Sequence, residues 1–196
     1  MEVTPRLFVI SGPAGVGKGT LVARIREIRP DLELTVSATT RQPRPGEIPG
    51  VSYHFLSDDE FSHCVEEGLF LEWAQVHAHR YGTLMNEATE RMNRGASVIL
   101  EIDCQGGFNV KKVRPDAVLI FIEPPSFEEL EHRLRGRGTE DEAQITLRLA
   151  NAKAEIEAGK KYDVRIVNDD VERAAQELLD VFARYEKDGG LTNVRG

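Results

Sequence analysis

Gly12, Gly17 and Lys18, within "SGPAGVGKGT", have the types and spacing of a loop that wraps a phosphate group. Glycines let successive backbone N–H groups turn inward around phosphate oxygens. A lysine adds a compact positive charge, and a helix starting behind the loop presents its positive end to the anion. Gly12, Pro13, Ala14, Gly15, Val16, Gly17, Lys18, Gly19 and Thr20 are therefore assigned to binding a nucleoside triphosphate. Gly19 stands where many such loops place a Ser or Thr that holds Mg²⁺, while Thr20 offers a hydroxyl one residue later, on a different side of the helix. Mg²⁺ needs few protein ligands when phosphates are present, so Gly19 does not by itself end catalysis. No protein ligand set for a metal is assigned.

A second group of side chains could hold another phosphate. Arg41 and Arg44 lie in the proline-bearing loop "TTRQPRPGEIPG", with Tyr53 shortly after it. Two guanidiniums and a phenol can grip a phosphate dianion through paired, charge-assisted hydrogen bonds. On these residues alone, arginines solvated on a loop are an equal reading. The five histidines, His54, His63, His77, His79 and His132, make no metal or triad pattern. Cys64 and Cys104 have no metal-ligand spacing and are expected as buried thiols.

The elements that must position these groups alternate along the chain. "RLFVI" reads as a buried strand, followed by the glycine-rich turn and a helix from about Lys18. "SVILEI", "AVLIFI" and "VRIV" are further apolar strands, with helical patterns over 85–93, 126–135 and 171–185. Continuously apolar strands separated by helices imply an α/β fold, a parallel sheet covered on both faces. Three capping boxes mark helix starts: Ser57 with Glu60, Ser126 with Glu129, and Thr139 with Glu142. The last two frame a helix, the turn "RGRGT" and a second helix carrying Arg148, a hairpin able to move as a lid. Residues 37–83 break the rhythm with Pro, Gly and short alternating pieces, and read as a small, mostly β insertion.

Composition narrows the function classes. At 196 residues, 40% hydrophobic and 30% charged, the chain is expected to form one globular domain with appendages. A net charge of -8 argues against sequence-independent binding to nucleic acid, which needs a basic surface. No apolar run approaches the roughly 20 residues that span a bilayer, and residues 1–6 lack a signal-peptide layout, so a cytoplasmic protein without membrane partners is expected.

The ending "GKGT" is similar to that of small nucleoside monophosphate kinases. Taken with "VSATTRQPRPGE", "FLEWAQV", "RYGT", "LEIDCQG", "RLRGRGTE" and "IVNDD", in that order and spacing, nearly the whole chain resembles guanylate kinase. The resemblance implies transfer of the γ-phosphoryl group of ATP, with Mg²⁺, to GMP or dGMP. It implies a P-loop three-layer α/β/α core over 5–36, 84–125 and 159–188, a GMP-binding insertion over 37–83 and a helical lid over 126–158. By the same resemblance Ser37, Arg41, Arg44, Glu47, Tyr53, Glu72, Tyr81, Thr83, Glu101 and Asp103 bind or surround GMP. Lys18, Arg41, Arg137 and Arg148 form the catalytic set, with the last two at lid positions and Arg133 and Arg135 as weaker candidates. Oligomeric state is not indicated.

Guanine chemistry agrees with part of that assignment. The base offers N1–H and an amine as donors and O6 as an acceptor. Glu72 and Glu101 can meet the donors, and Ser37 and Thr83 the acceptor. Glu101, inside the apolar run "VILEID", is expected to be buried and therefore paired, whereas for Glu72 beside Trp73 a surface carboxylate at a strand edge is the lesser alternative. Asp103 has two open roles, near a metal or its waters at the carboxyl end of a strand, or as a helix cap. Tyr81 could simply pack. Asn168 is placed near adenine by the resemblance, or else belongs to a turn and cap before Val171. Two other functions stay open: a phosphopeptide-binding module built on the same frame, and a related kinase acting on a ribose bisphosphate or another nucleoside monophosphate.

Overall fold

The apolar pentapeptide Leu7–Ser11 forms β1, and its side chains alternate between two different cores. Leu7 and Val9 point to one face of the sheet, Phe8 and Ile10 to the other, as the two-residue period of a strand requires. The computed structural model describes residues 4–76, 78–136 and 142–187. The main sheet joins β1 to β2 (Glu33–Leu34), β7 (Val98–Glu101), β8 (Val118–Glu123) and β9 (Val164–Val167), in the order β2-β7-β1-β8-β9. Every pairing in it is parallel.

Helices cover both faces. Against Phe8 and Ile10 pack α1 (Lys18–Ile28), α5 (Phe127–Gly136) and α7 (Val171–Lys187). In α7 the buried Ala174, Ala175, Leu178, Val181 and Phe182 recur at helical spacing, and Phe182 meets Phe8 with ring centroids 4.3 Å apart. The opposite core takes in residues of α3 (Met85–Asn93), α4 (Cys104–Val113) and the carboxyl-terminal part of α6 (Glu142–Gly159). The molecule is thus a three-layer α/β/α fold with a parallel central sheet.

A second sheet, in the order β4-β3-β6-β5, is built from β3 (Ala38–Thr39), β4 (His54–Phe55), β5 (Phe70–Val76) and β6 (His79–Leu84). It has its own small core of Ala38, Phe61 and Phe70. Phe61 sits on α2 (Asp58–Glu66), whose start carries the full capping box expected at Ser57 and Glu60. The pairing of β5 with β6 slips by one residue between Phe70 and Glu72, a bulge that sets Glu72 opposite Thr83. Leu71, inside that bulge, packs into the main core and so ties the two sheets together.

Two local expectations need correction. Ser126 accepts from Glu129 N (3.1 Å), but the Glu129 carboxylate turns to Arg133 (2.8 Å), so this cap is only half a box. An i,i+4 ion pair along the helix competes with the return bond to the cap. The third box lies on Thr139, outside the described residues, as does Arg137. Of the two free thiols, Cys104 is buried and Cys64 only half-buried. Among the described residues no helix is long and apolar enough to cross a membrane.

Candidate active site

The phosphate loop is held open by backbone packing. A Cβ on Gly12 would lie 2.4 Å from the Ile122 carbonyl oxygen, and one on Gly17, where φ is 97°, 2.6 Å from Asn168 Nδ2. Both positions therefore require glycine. Helix α1 begins directly behind the loop with no side-chain cap and no acidic residue in its first turn, so its leading N–H groups stay available to an anion. Lys18 Nζ donates to the Gly12 and Pro13 carbonyls of its own loop. Burial lowers the Lys18 pKa, opposed by the nearby carboxylates of Glu101, Glu155 and Asp103. Gly19 and Thr20 are exposed, and the nearest atom to a Cβ at position 19 is Glu101 Oε1, at 3.9 Å.

Ser37, Tyr53, Glu72, Tyr81, Glu101 and Asp103 meet on one cleft of ≈ 190 Å³ between the two sheets. That volume is below the usual lower end of small-molecule sites, about 300 Å³, so the enclosed part suits a base better than a whole nucleotide. Thr83, fully buried behind it, donates its hydroxyl to Glu72 Oε1 at 2.9 Å. Burial raises the Glu72 pKa, and the Thr83 hydrogen bond partly offsets this. Of the two candidate carboxylates, Glu72 is therefore the enclosed one. Glu101, expected inside the sheet, is instead exposed at the carboxyl end of β7. The strand stops there, so an apolar run whose last residue faces the cleft reads as if that residue were buried. Its packed surroundings still raise the Glu101 pKa, with Lys18 pulling it down. Asp103 lines the same cleft and caps α4, its Oδ1 accepting from Gly106 N at 2.8 Å.

The arginine loop is pre-folded around a carboxylate. Arg41 makes a two-pronged pair with Glu47 (2.8 and 3.0 Å), and Glu47 also accepts from Arg44 N at 2.7 Å. The hydrogen bond from Arg41, then that from Arg44, holds the Glu47 pKa below the usual carboxylate range. The Arg41 guanidinium lies 5.3 Å from the Tyr53 ring centroid. The Arg44 residue is exposed. Two supporting residues carried no sequence signal. Buried Thr39 accepts from Arg41 N at 3.2 Å, and Glu87 accepts from Val36 N and pairs with His54, next to Ser37 at the entry to β3.

On the donor side, Arg148 is half-buried on α6, and Arg135 pairs with Glu131 and Glu142 on the helix surface. Glu155 of α6, which sequence pattern alone could not bring to the loop, faces Lys18 and Asp103. Its pKa is raised by burial, with Lys18 acting against this. Asn168 is buried and donates Nδ2–H to the Val16 carbonyl at 2.8 Å. It does not cap the following helix; Asp170 does, accepting from Arg173 N. A larger groove of ≈ 500 Å³ lies away from the loop beside Phe127, and its charges are already engaged, Arg165 with Glu123 and Lys153 over Phe127. Among the described residues no three His, Cys, Asp or Glu side chains are grouped to hold a metal by themselves.

Comparison with known proteins gives a consistent result. The family model described as guanylate kinase matches residues 4–185. A guanylate kinase of Streptomyces kasugaensis is 49% identical over 183 residues, covering 93% of this chain and 89% of that protein. One of Synechococcus sp. (strain CC9311) is 52% identical over 173 residues, covering 88% and 91%. Among solved structures, guanylate kinase from Anaplasma phagocytophilum superposes with a TM-score of 0.74 at 30% identity, over 95% of this chain and 88% of that one.

Proposed function

The chain belongs to the guanylate kinase family, and on that footing we propose ATP-dependent phosphorylation of GMP as its reaction. The observation that carries this reading is a lysine-bearing phosphate loop opening onto a cleft where the Thr83-anchored carboxylate of Glu72 faces Ser37 and Glu101. Loop N–H groups and Lys18 hold the donor's phosphates. Glu72 and Glu101 accept from guanine N1–H and its amine, Ser37 serves the O6 side while Thr83 holds Glu72 from behind, and Arg41, Arg44, Tyr53 and Tyr81 receive the GMP phosphate. Glu47 orients Arg41 and Arg44. Arg41, Arg137 and Arg148 converge on the transferring group as the hairpin over 126–158 closes, and closure excludes water. No assigned residue reads the ribose 2′ position, so dGMP is also accepted. These substrates put the protein in the cytoplasm.

Mg²⁺ would suit the hard oxygens lining the cleft beside the loop, the carboxylates of Glu101 and Asp103, and Thr20 is the loop's own hydroxyl next to Gly19. When bound with ATP, the ion would supply charge neutralisation for the transferring phosphates. With Thr20→Val, the Mg²⁺ concentration for half-maximal turnover is expected to rise roughly 10-fold, the effect of one lost ligand-strength contact. Gly19→Ser is expected to stay near wild type, since a Cβ at position 19 meets Glu101 Oε1 at an ordinary contact distance of 3.9 Å. A Mg²⁺ titration of ADP formation measures both, and an unchanged midpoint in Thr20→Val removes that hydroxyl from the metal's surroundings.

The reaction itself is tested by measuring ATP-dependent ADP formation with GMP, dGMP, AMP, UMP, dTMP and ribose 1,5-bisphosphate. GMP should exceed AMP by at least about 10²-fold in kcat/KM, because adenine leaves a buried acceptor unmatched. Equal rates with AMP and GMP would defeat the proposal. Absence of turnover together with phosphopeptide binding would replace it with the binding-module reading.

A further inference from the structure

We propose that Gly106 is a positioning residue for guanine selectivity: having no side chain, it lets the first turn of α4 close against the Glu72 carboxylate and so fixes where that carboxylate meets the base. The inference deepens the reading of this cleft as the guanine site and rests on it. A Cβ on Gly106 would lie 3.1 Å from Glu72 Oε2, 3.2 Å from Ile102 Cδ1 and 3.5 Å from Asp103 Oδ1. Carbon atoms in packed interiors sit best at about 3.5–4.0 Å, so the first two contacts are too close. Ile102 can turn its terminal methyl away. Glu72 cannot withdraw in the same manner, because Thr83 holds its Oε1 at 2.9 Å and the β5 bulge sets its backbone opposite Thr83.

Helix propensity makes glycine an unfavourable choice at this place. Helix α4 has two in succession near its start, Gly106 and Gly107, where alanine is the better helix former, and neither has a positive φ that would call for glycine. Gly107 is accounted for by the core, since a Cβ there would run into the Tyr162 hydroxyl that donates to buried Ser11. Gly82 is accounted for by sheet pairing, since a Cβ there would lie 2.8 Å from the Glu72 carbonyl oxygen. Gly106 differs from both. Its tightest neighbour is a carboxylate oxygen that lines the cleft, and its own N–H donates to a second carboxylate there, Asp103 Oδ1 at 2.8 Å. A methyl at 106 must push Oε2 away from α4 while Oε1 stays tied to Thr83, so the carboxylate turns about its anchored oxygen. Hydrogen bonds weaken steeply with such misalignment.

Steady-state kinetics and thermal unfolding of Gly106→Ala test this. KM for GMP is expected to rise about 10-fold, the loss of one well-formed hydrogen bond, with kcat within about 3-fold because that bond serves substrate and transition state alike. KM for ATP and kcat/KM for AMP should stay within about 2-fold, and the unfolding midpoint should not fall, since alanine favours the helix. A double-mutant cycle shows the route. In a Glu72→Ala background the methyl has no oxygen to meet, so adding Gly106→Ala should change KM for GMP by less than about 2-fold. An equal cost in both backgrounds means a helix defect and overturns the proposal, as does a wild-type KM for GMP in Gly106→Ala. If Gly106→Ala does not fold, it is remade with Ile102→Val, which removes the Cδ1 contact, and compared with Ile102→Val alone. Failure of both to fold assigns the glycine to packing and likewise overturns the proposal. Failure of the kinase reading shows separately, as absence of GMP-dependent ADP formation in the wild type.

Discussion

Lys18→Met is expected to lower kcat by roughly 10³-fold, the scale of losing one pre-aimed electrostatic contact to charge that develops in the transition state. The same change should leave folding nearly intact. Among the described residues Lys18 Nζ hydrogen-bonds only the carbonyls of its own loop, the carboxylates of Glu101 and Glu155 can take up protons when its charge is gone, and methionine keeps the length of the stem. Burial already disfavours the ammonium in the absence of a phosphate, so removing the charge also removes a desolvation cost. Single-turnover ADP formation and thermal unfolding on the same sample separate the two effects. A folded variant with wild-type turnover would take the loop out of the mechanism.

Glu72→Gln is the second large effect, and it should appear in selectivity. The Glu72 carboxylate accepts from Thr83 on one oxygen and from guanine on the other, whereas an amide presents one acceptor and one donor, so either Thr83 O–H or a guanine N–H meets an N–H. The kcat/KM for GMP is expected to fall by about 10²-fold or more, while that for AMP changes little, so the preference collapses. An unaltered GMP-to-AMP ratio would sink the guanine-reading role.

The wild type should carry a matching pH signature. Burial raises the Glu72 pKa above its ordinary value of 4.5, and guanine donors favour the ionised form. Protonation thus competes with GMP: KM for GMP should rise as pH falls through the raised Glu72 pKa and be flat above it. The Gln variant should lose that dependence. The stability linkage has the opposite sense, since a carboxyl with a raised folded-state pKa stabilises the fold below its ordinary value. That contribution is lost as pH rises from 4.5 through the raised value, a window in which GMP binding restores what ionisation removes.

The main sheet was legible because its inner strands β7, β1 and β8 are buried on both faces and so lack alternation, with β9 a half-exposed edge. "LFVIS", "VILE", "VLIFIE" and "VRIV" all pair in parallel. Helix α3 and strand β5 fall where the sequence pattern puts them. Strands β2, β3 and β4, at two residues each, are too short to leave a period, and β3 with β4 pairs in parallel across the proline-bearing loop. At the site, residue types were readable but surroundings were not. Glu101 missed its expected buried environment because the strand ends there and leaves it outward, whereas the bulge in β5 sets Glu72 opposite Thr83 in the cleft. Thr39, Glu87 and Glu155 support or face the site from elsewhere in the chain, and only the tertiary fold brings them there. Asn168 was legible as a residue of interest, but its bond to the Val16 carbonyl could not be read from "IVNDD".

The pairing of Ala38 with Gly82 has a consequence for how the molecule comes together. The segment between them leaves and re-enters at neighbouring points, so its closure entropy, which grows only slowly with the roughly 45 residues enclosed, is met once and locally. With Phe61 and Phe70 stacked 4.5 Å apart in a cluster of their own, this segment has the make-up of a foldon able to open and re-form while the parallel sheet stays zipped.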